Sequence, residues 1–136
     1  MNLRVIYLCL SALLFAGIAG GVYVSQPVNA SAKLPADPNL VARAQRGDII
    51  LLDVRSAEEF AEGHIPGAIN IPHEEIDTYL ESLSDYKNKP VVVYCRSGRR
   101  AKIAMDVLKK HNFTDLRHLE GDMMGWHDAG FPVDRM

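Results

Sequence analysis

The chain has 136 residues, of which 24% are charged and 48% hydrophobic, the size and composition of one globular domain rather than two or a disordered chain. Its 15 basic and 17 acidic residues leave a formal net charge of −2 at pH 7. Nucleic-acid-binding domains usually carry a basic excess, so we expect no nucleic-acid partner.

The first 32 residues differ from the rest of the chain. They contain one basic residue, Arg4, and no acidic residue, and the 20 residues from Val5 to Val24 carry no charge. Pro27, a helix breaker, and the small-residue triplet at 30–32 follow. This order is typical of a secretory signal peptide cleaved after Ala32. The apolar run is also long enough to span a bilayer, so an alternative is that residues 5–24 form a membrane anchor.

Both interpretations divide the chain at the same place. Residues 1–32 are the signal peptide or N-terminal anchor, and residues 33–136 are the folded domain. Both also place that domain outside the cytoplasm, in the periplasm or another extracytoplasmic space. Cys9 lies within the apolar run, which leaves Cys95 without a partner in the exported part and excludes an intrachain disulfide there.

Residues 33–136 alternate between helical and strand-like periods. The predicted elements, in chain order, are a helix at 38–46, a strand at 49–54, helical turns at 56–63, a strand at 68–71, a helix at 73–83, a strand at 91–94, a helix at 98–111, a strand at 116–119 and a helix within 121–130. In the helix at 98–111, Ile103, Ala104, Val107 and Leu108 are expected on one buried face. Strands that alternate with helices predict an α/β domain with a central parallel sheet.

The most informative segment begins at Cys95, at the end of the predicted strand 91–94 and just before a helix. Ligands of open α/β sheets bind at this edge. A loop that leads into a helix N-terminus directs backbone N–H groups inward, which stabilises a thiolate or an oxyanionic substrate. The candidate substrate-binding residues are the five that follow the cysteine: Arg96, Ser97, Gly98, Arg99 and Arg100.

The residue types of this loop suit a reactive thiol. Nearby cations and a helix N-terminus favour the thiolate, which is the nucleophilic form of cysteine. Gly98 permits a tight curl and Ser97 adds a hydroxyl donor. The alternative is that Cys95 is a small buried hydrophobe beside ordinary surface charges.

Two further residues belong to the same predicted edge of the sheet. Asp53 and Arg55 end the predicted strand at 49–54, where an ion pair between them is expected to support the Cys95 loop. The five histidines show no metal-ligand spacing with a second cysteine or a carboxylate pair, so no metal site is expected.

Four motifs in this order resemble the rhodanese family. They are the strand 51–55 with the acidic-aromatic pair at 59–60, the turn and strand at 63–72, the six-residue loop at 95–100, and the segment 121–126 with 130–133. The resemblance covers residues 37–134. It implies a rhodanese-like fold, with helices on both faces of the parallel sheet, and a sulfurtransferase that carries sulfur as a Cys95 persulfide and needs no cofactor.

The resemblance also implies the partners. A small anionic donor such as thiosulfate supplies the sulfur, and cyanide or a thiol, in a small molecule or a protein, accepts it. A sulfur- or redox-sensing binding module is one alternative. A cysteine phosphatase is another, but related phosphatases place an arginine six positions after the cysteine, where this chain has Ala101. The shorter loop favours a single sulfur atom over a phosphoryl group.

Overall fold

The alternation of periods in the sequence is realised as five strands and five α-helices. The protein is described here by a computed structural model, which covers residues 32–136. The strands are β1 (Ala32–Leu34), β2 (Ile50–Asp53), β3 (Ile69–Asn70), β4 (Val91–Tyr94) and β5 (Leu116–Leu119). The helices are α1 (Asn39–Gln45), α2 (Ala57–Glu62), α3 (Ile76–Tyr79), α4 (Arg99–Lys110) and α5 (Asp122–Asp128), with 3₁₀ turns at His73–Glu75 and Ser84–Tyr86.

The strands form a single sheet in the order β1-β5-β4-β2-β3, and every pair is parallel. Because parallel strands end at the same edge, the carboxyl ends of β2 and β4 meet. The register pairs Asp53 with Tyr94, the residue immediately before Cys95. The sheet therefore brings Asp53, at the end of β2, and the loop that begins at Cys95 together at one edge.

Side chains alternate between the two faces of the sheet and build a core on each. On one face Leu52 and Val93 pack with α3 and α4, and on the other Leu51 and Val92 pack with α1 and α5. Both β2 and β4 are buried throughout, which explains why their residues are apolar apart from Asp53 at the end of β2. The predicted class, an α/β domain with a parallel sheet covered on both faces, is confirmed.

A capping box starts α2 and determines where its first turn lies. The Ser56 hydroxyl accepts the Glu59 N–H at 3.2 Å, and the Glu59 carboxylate accepts the Ser56 N–H at 3.1 Å. These bonds satisfy two amides that a helix start otherwise leaves without partners. The capping box also holds the Glu59 side chain near the carboxyl edge of the sheet, where it takes a second partner.

The strand β1 was not predicted from the sequence. Its three residues pair with β5, Ala32 opposite Arg117, but so short a segment carries no readable period. The boundary predicted between residues 32 and 33 falls within this strand. The predicted signal peptide or anchor otherwise lies outside the described residues. Among residues 32–136, no helix has the length and apolar character needed to cross a membrane.

Two helical predictions need correction. The helix expected over 73–83 begins as a 3₁₀ turn and continues as the short helix α3. The placement of Ile103 on the buried face of α4 was wrong, since its side chain is 42% exposed. The spacing of three and four residues places the buried positions of α4 on one face and leaves Ile103 on the opposite side. The buried positions are Ala101, Ala104, Met105 and Leu108.

Candidate active site

Cys95 follows β4 directly and is buried at the base of the loop that leads into α4. Its residue surface is 1% exposed, and it forms no disulfide. The Gly98 N–H donates to the Cys95 sulfur, with an N···S distance of 3.0 Å. A backbone amide of the loop thus points inward at the sulfur, and the loop turns tightly around that atom.

Gly98 allows this turn for two reasons. Its φ of +113° lies in the left-handed region that residues with a Cβ rarely adopt. A Cβ at this position would also lie 3.1 Å from an Asp122 carboxylate oxygen and 3.2 Å from Cε1 of His118. The loop therefore packs directly on these two side chains.

The first turn of α5 binds the backbone of the loop through three hydrogen bonds. The Cys95 N–H donates to Oδ1 of Asp122 at 2.9 Å, and the Met123 N–H donates to the Cys95 carbonyl at 2.9 Å. The Met124 N–H reaches the Arg96 carbonyl at 3.3 Å. The backbone of the candidate nucleophile is thereby fixed by a segment about 27 residues further along the chain.

The loop arginines occupy different environments. Arg96 and Arg99 are exposed, as is Ser97, whereas Arg100 is half-buried and donates to both carboxylate oxygens of Glu59 at 2.6 and 3.0 Å. The hydrogen bond with Arg100 is the main cause that lowers the pKa of Glu59 to about 2. The same bond raises the pKa of Arg100, and the negative charge of a Cys95 thiolate adds to this shift. Arg100 thus differs from the other two arginines of the loop in being paired within the protein.

Asp53 and Arg55 form a buried ion pair, with Nη2 of Arg55 at 2.6 Å from Oδ2 of Asp53. The same nitrogen donates to the Gly63 carbonyl at 2.7 Å, so the pair links β2 to the end of α2. Burial, together with the nearby Asp53 charge, raises the pKa of Tyr94, whose hydroxyl oxygen accepts the Ile65 N–H at 3.2 Å. The ion pair thus neighbours the residue that precedes Cys95.

An open cleft of about 450 Å³ adjoins the loop between α2 and α5. Its lining carries both signs of charge, with Arg55 and Arg96 as cations and Glu62 and Asp128 among the anions, and includes the exposed side chain of Met124. Among residues 32–136, no group of three or more histidine, cysteine or carboxylate side chains is placed to hold a metal ion.

The sequence of this domain matches a known family over most of its length. Residues 38–129 match the model of the Rhodanese-like domain, and they include both the Asp53–Arg55 pair and the whole of the Cys95 loop. The chain belongs to the rhodanese family. The resemblance inferred from the four motifs is confirmed.

Three relatives illustrate the range of this similarity. An HTH-type transcriptional regulator of Mycobacterium tuberculosis is 38% identical over 70% of this chain and 42% of its own. A sulfurtransferase of Allochromatium vinosum is 32% identical over 66% of this chain and 82% of its own. The crystal structure of thiosulfate sulfurtransferase from Pseudomonas aeruginosa superposes with a TM-score of 0.67 and 25% identity, over 76% of this chain and 20% of that chain. The chain thus spans less than half of the first and third of these proteins.

Three side chains that support the Cys95 loop, residues 95–100, were not indicated as site residues by the sequence. Glu59 belonged to the acidic-aromatic pair of the family resemblance, but nothing in the sequence pointed to its partner Arg100. Asp122 and His118 lie beyond α4 in the chain and reach the loop only through the fold. The available signal for Asp122 was its place in the family motif at 121–126.

Proposed function

We propose that this rhodanese is a sulfurtransferase that moves sulfane sulfur from a small anionic donor such as thiosulfate to a thiol or cyanide, through a persulfide on Cys95. The observation that carries the proposal is the Gly98 amide directed at the Cys95 sulfur. A thiolate and a persulfide are both anions, and inward amides at the start of a helix stabilise an anion at that position.

The reaction has two transfers with balanced bonds. The Cys95 thiolate attacks the outer sulfur of thiosulfate, a new S–S bond forms, and sulfite leaves with the electron pair of the broken bond. The acceptor, cyanide or a thiolate, then attacks the outer sulfur of the persulfide. This second step forms thiocyanate or a new persulfide and returns Cys95 as a thiolate. The residues described need no metal or organic cofactor for either step.

The burial of Cys95 limits which donors can react. With 1% of the residue exposed, only a substrate with a narrow reactive end can reach the sulfur. A terminal sulfur atom on a narrow anion meets this requirement. The exposed Arg96 and Arg99 side chains add positive charge beside the loop, which attracts an anionic donor. Both features favour small anionic donors over bulky neutral ones.

Mass spectrometry of the full chain tests the proposal directly. After incubation with thiosulfate alone, the wild-type protein should gain the mass of one sulfur atom, and later addition of cyanide should remove it and release thiocyanate. Cys95→Ser should neither load nor turn over. Cys9→Ser is the matched control, because it removes the other thiol of the chain and should load normally. Sulfur loading by Cys95→Ser would contradict the proposal.

A second candidate function is a sulfur- or redox-sensing binding module. The burial of Cys95 favours it, because a sensor retains its sulfur while an enzyme must release it. The mycobacterial relative, described as a transcriptional regulator, adds to this reason. Persistent loading with no transfer to cyanide, cysteine or glutathione would favour the sensor. Hydrolysis of an aryl phosphate without loading would instead favour the phosphatase.

We further propose that residues 1–32 direct the domain out of the cytoplasm, either as a cleaved signal peptide or as an anchor. The charge-free run and the small-residue triplet support this proposal. Cell fractionation followed by N-terminal sequencing tests it. A mature N-terminus at Lys33 in the soluble extracytoplasmic fraction indicates cleavage, an intact chain in the membrane fraction indicates an anchor, and an intact chain in the cytoplasm contradicts both.

A further inference from the structure

Asp122 combines three properties that are unusual together. It is one of two non-glycine residues with positive φ in the described part of the chain, at +52°. Its residue surface is 2% exposed, and its carboxylate reaches the backbone of Cys95. Left-handed backbone in a residue with a Cβ is energetically unfavourable and persists where the surroundings require it, often at functional sites. The backbone conformation at this position disfavours a residue with a Cβ, so the contacts of the side chain account for the aspartate.

Both polar groups of the Cys95 backbone are held by consecutive residues of α5. Oδ1 of Asp122 accepts the Cys95 N–H at 2.9 Å, and the Met123 N–H donates to the Cys95 carbonyl at 2.9 Å. Because these two bonds hold the backbone on either side of the Cys95 Cα, they fix the orientation of that residue. The direction of the Cys95 sulfur toward the Gly98 amide follows from this attachment.

His118 orients the carboxylate that makes the first of these bonds. Its Nε2 lies 3.0 Å from both oxygens of Asp122, and since a carboxylate only accepts, this nitrogen carries the hydrogen. A buried carboxylate without partners would be strongly unfavourable, and His118 supplies a donor from the neighbouring strand β5. Gly98 packs against the same two side chains, so the pair contacts the loop at two separate points.

We propose that His118 and Asp122 are positioning residues that hold the Cys95 backbone so that its sulfur faces the amides of the loop. The inference rests on the proposed function, since it assigns a role in sulfur loading at Cys95. It predicts an effect on the rate of the chemical step and little effect on donor binding, because neither side chain extends from the loop itself. Misplacing a reacting atom by about 1 Å can cost on the order of a hundredfold in rate.

Loading rates over a range of thiosulfate concentrations, measured by intact mass on the full chain, test the proposal. Asp122→Ala and His118→Ala should lower the maximal rate by about tenfold to a hundredfold, with the half-saturating concentration changed by less than about threefold. Asp122→Asn keeps an acceptor for the Cys95 N–H and tolerates positive φ, so it should recover most of the rate. Asp122→Gly removes the strained backbone as well as the acceptor and should be as slow as Asp122→Ala.

Asn112 provides the matched control. It has the other positive φ among non-glycine residues, +68°, but is exposed in the loop after α4, so Asn112→Gly should load at the wild-type rate. Circular dichroism and the melting temperature identify variants that remain folded. If Asp122→Ala proves unfolded, His118→Ala and Asp122→Gly carry the test.

The outcomes separate this inference from the proposed function. Wild-type protein that fails to load sulfur contradicts the proposed function, and the positioning role with it. Wild-type protein that loads, together with a folded Asp122→Ala or Asp122→Gly that loads at the same maximal rate, overturns the positioning role and leaves the sulfurtransferase intact. A rate loss in Asp122→Asn as large as that in Asp122→Ala also overturns the positioning role, because the retained acceptor would then have no effect on the rate.

Discussion

The guanidinium of Arg100 binds both carboxylate oxygens of Glu59, a residue 41 positions earlier in the chain. This contact joins the first turn of α4 to α2 and thereby anchors the end of the rhodanese loop. Two parallel hydrogen bonds between a guanidinium and a carboxylate are stronger and more directional than a single contact. Arg100 is thus engaged within the protein, while Arg96 and Arg99 remain exposed.

Removing the Glu59 charge should destabilise the protein and slow sulfur loading. In Glu59→Gln the loss should be about 1 kcal/mol in the free energy of unfolding, because both partners are partly exposed to solvent. Urea denaturation measures the stability, and intact mass measures the loading. Glu58→Gln, on the exposed side of the same helix, is the control and should change neither quantity. Equal effects of the two substitutions would show that the Arg100 contact contributes nothing.

The same pair predicts a specific acid dependence of stability. The pKa of Glu59 is lowered from 4.5 to about 2 in the folded protein, so between these values the unfolded chain binds more protons than the folded one. The contribution of the pair is therefore complete above pH 4.5 and is lost as the pH falls toward 2. The difference in unfolding free energy between wild type and Glu59→Gln should shrink over this window. A difference that stays constant would contradict the assignment.

Gly98→Ala should abolish sulfur loading and also destabilise the fold. The substitution forces a Cβ into left-handed backbone, at a cost of about 1–2 kcal/mol, and places that atom 3.1 Å from Asp122. Gly47→Ala separates the two effects, because Gly47 has a φ of +76° but open space around the missing Cβ. It should lose stability alone. Normal loading by Gly98→Ala would mean that the close packing under the loop is unimportant.

Breaking the buried Asp53–Arg55 pair should be strongly destabilising. Asp53→Asn leaves a guanidinium that is almost fully buried without its anion, for a loss of about 3–5 kcal/mol in the free energy of unfolding. The double substitution Asp53→Asn/Arg55→Met should recover part of this loss. Asp48→Asn, in the exposed pair with Arg46, is the control and should cost less than about 1 kcal/mol. Similar losses at the two sites would contradict this account of the pair.

The orientation of α4 can be tested with two alanine substitutions. Leu108→Ala removes a fully buried side chain and should cost about 2–5 kcal/mol in the free energy of unfolding. Ile103→Ala, at a position that is 42% exposed, should cost about 1 kcal/mol or less. Thermal or urea denaturation compares them. A larger loss at Ile103 would restore the helix face expected from the sequence.

Several features of this protein followed from short stretches of sequence. The apolar runs at β2 and β4, the capping box at Ser56 and the glycine-containing loop after β4 each involve neighbours within a few residues, so their patterns are visible without a structure. The same holds for Asp53 and Cys95 at one edge of the sheet, because parallel strands end together. Local patterning was sufficient for the fold class, the family and the candidate nucleophile.

Other features depended on how distant segments pack. Which side of α4 is buried depends on its rotation against the sheet, and Ile103, apolar but exposed, shows that hydrophobicity alone does not determine it. The partners of the loop, Glu59 from α2 and the His118–Asp122 pair from β5 and α5, come from before and after it in the chain. Contacts of this kind are set by strand order and helix placement. They became visible only in the folded chain, because no sequence period connects the residues that make them.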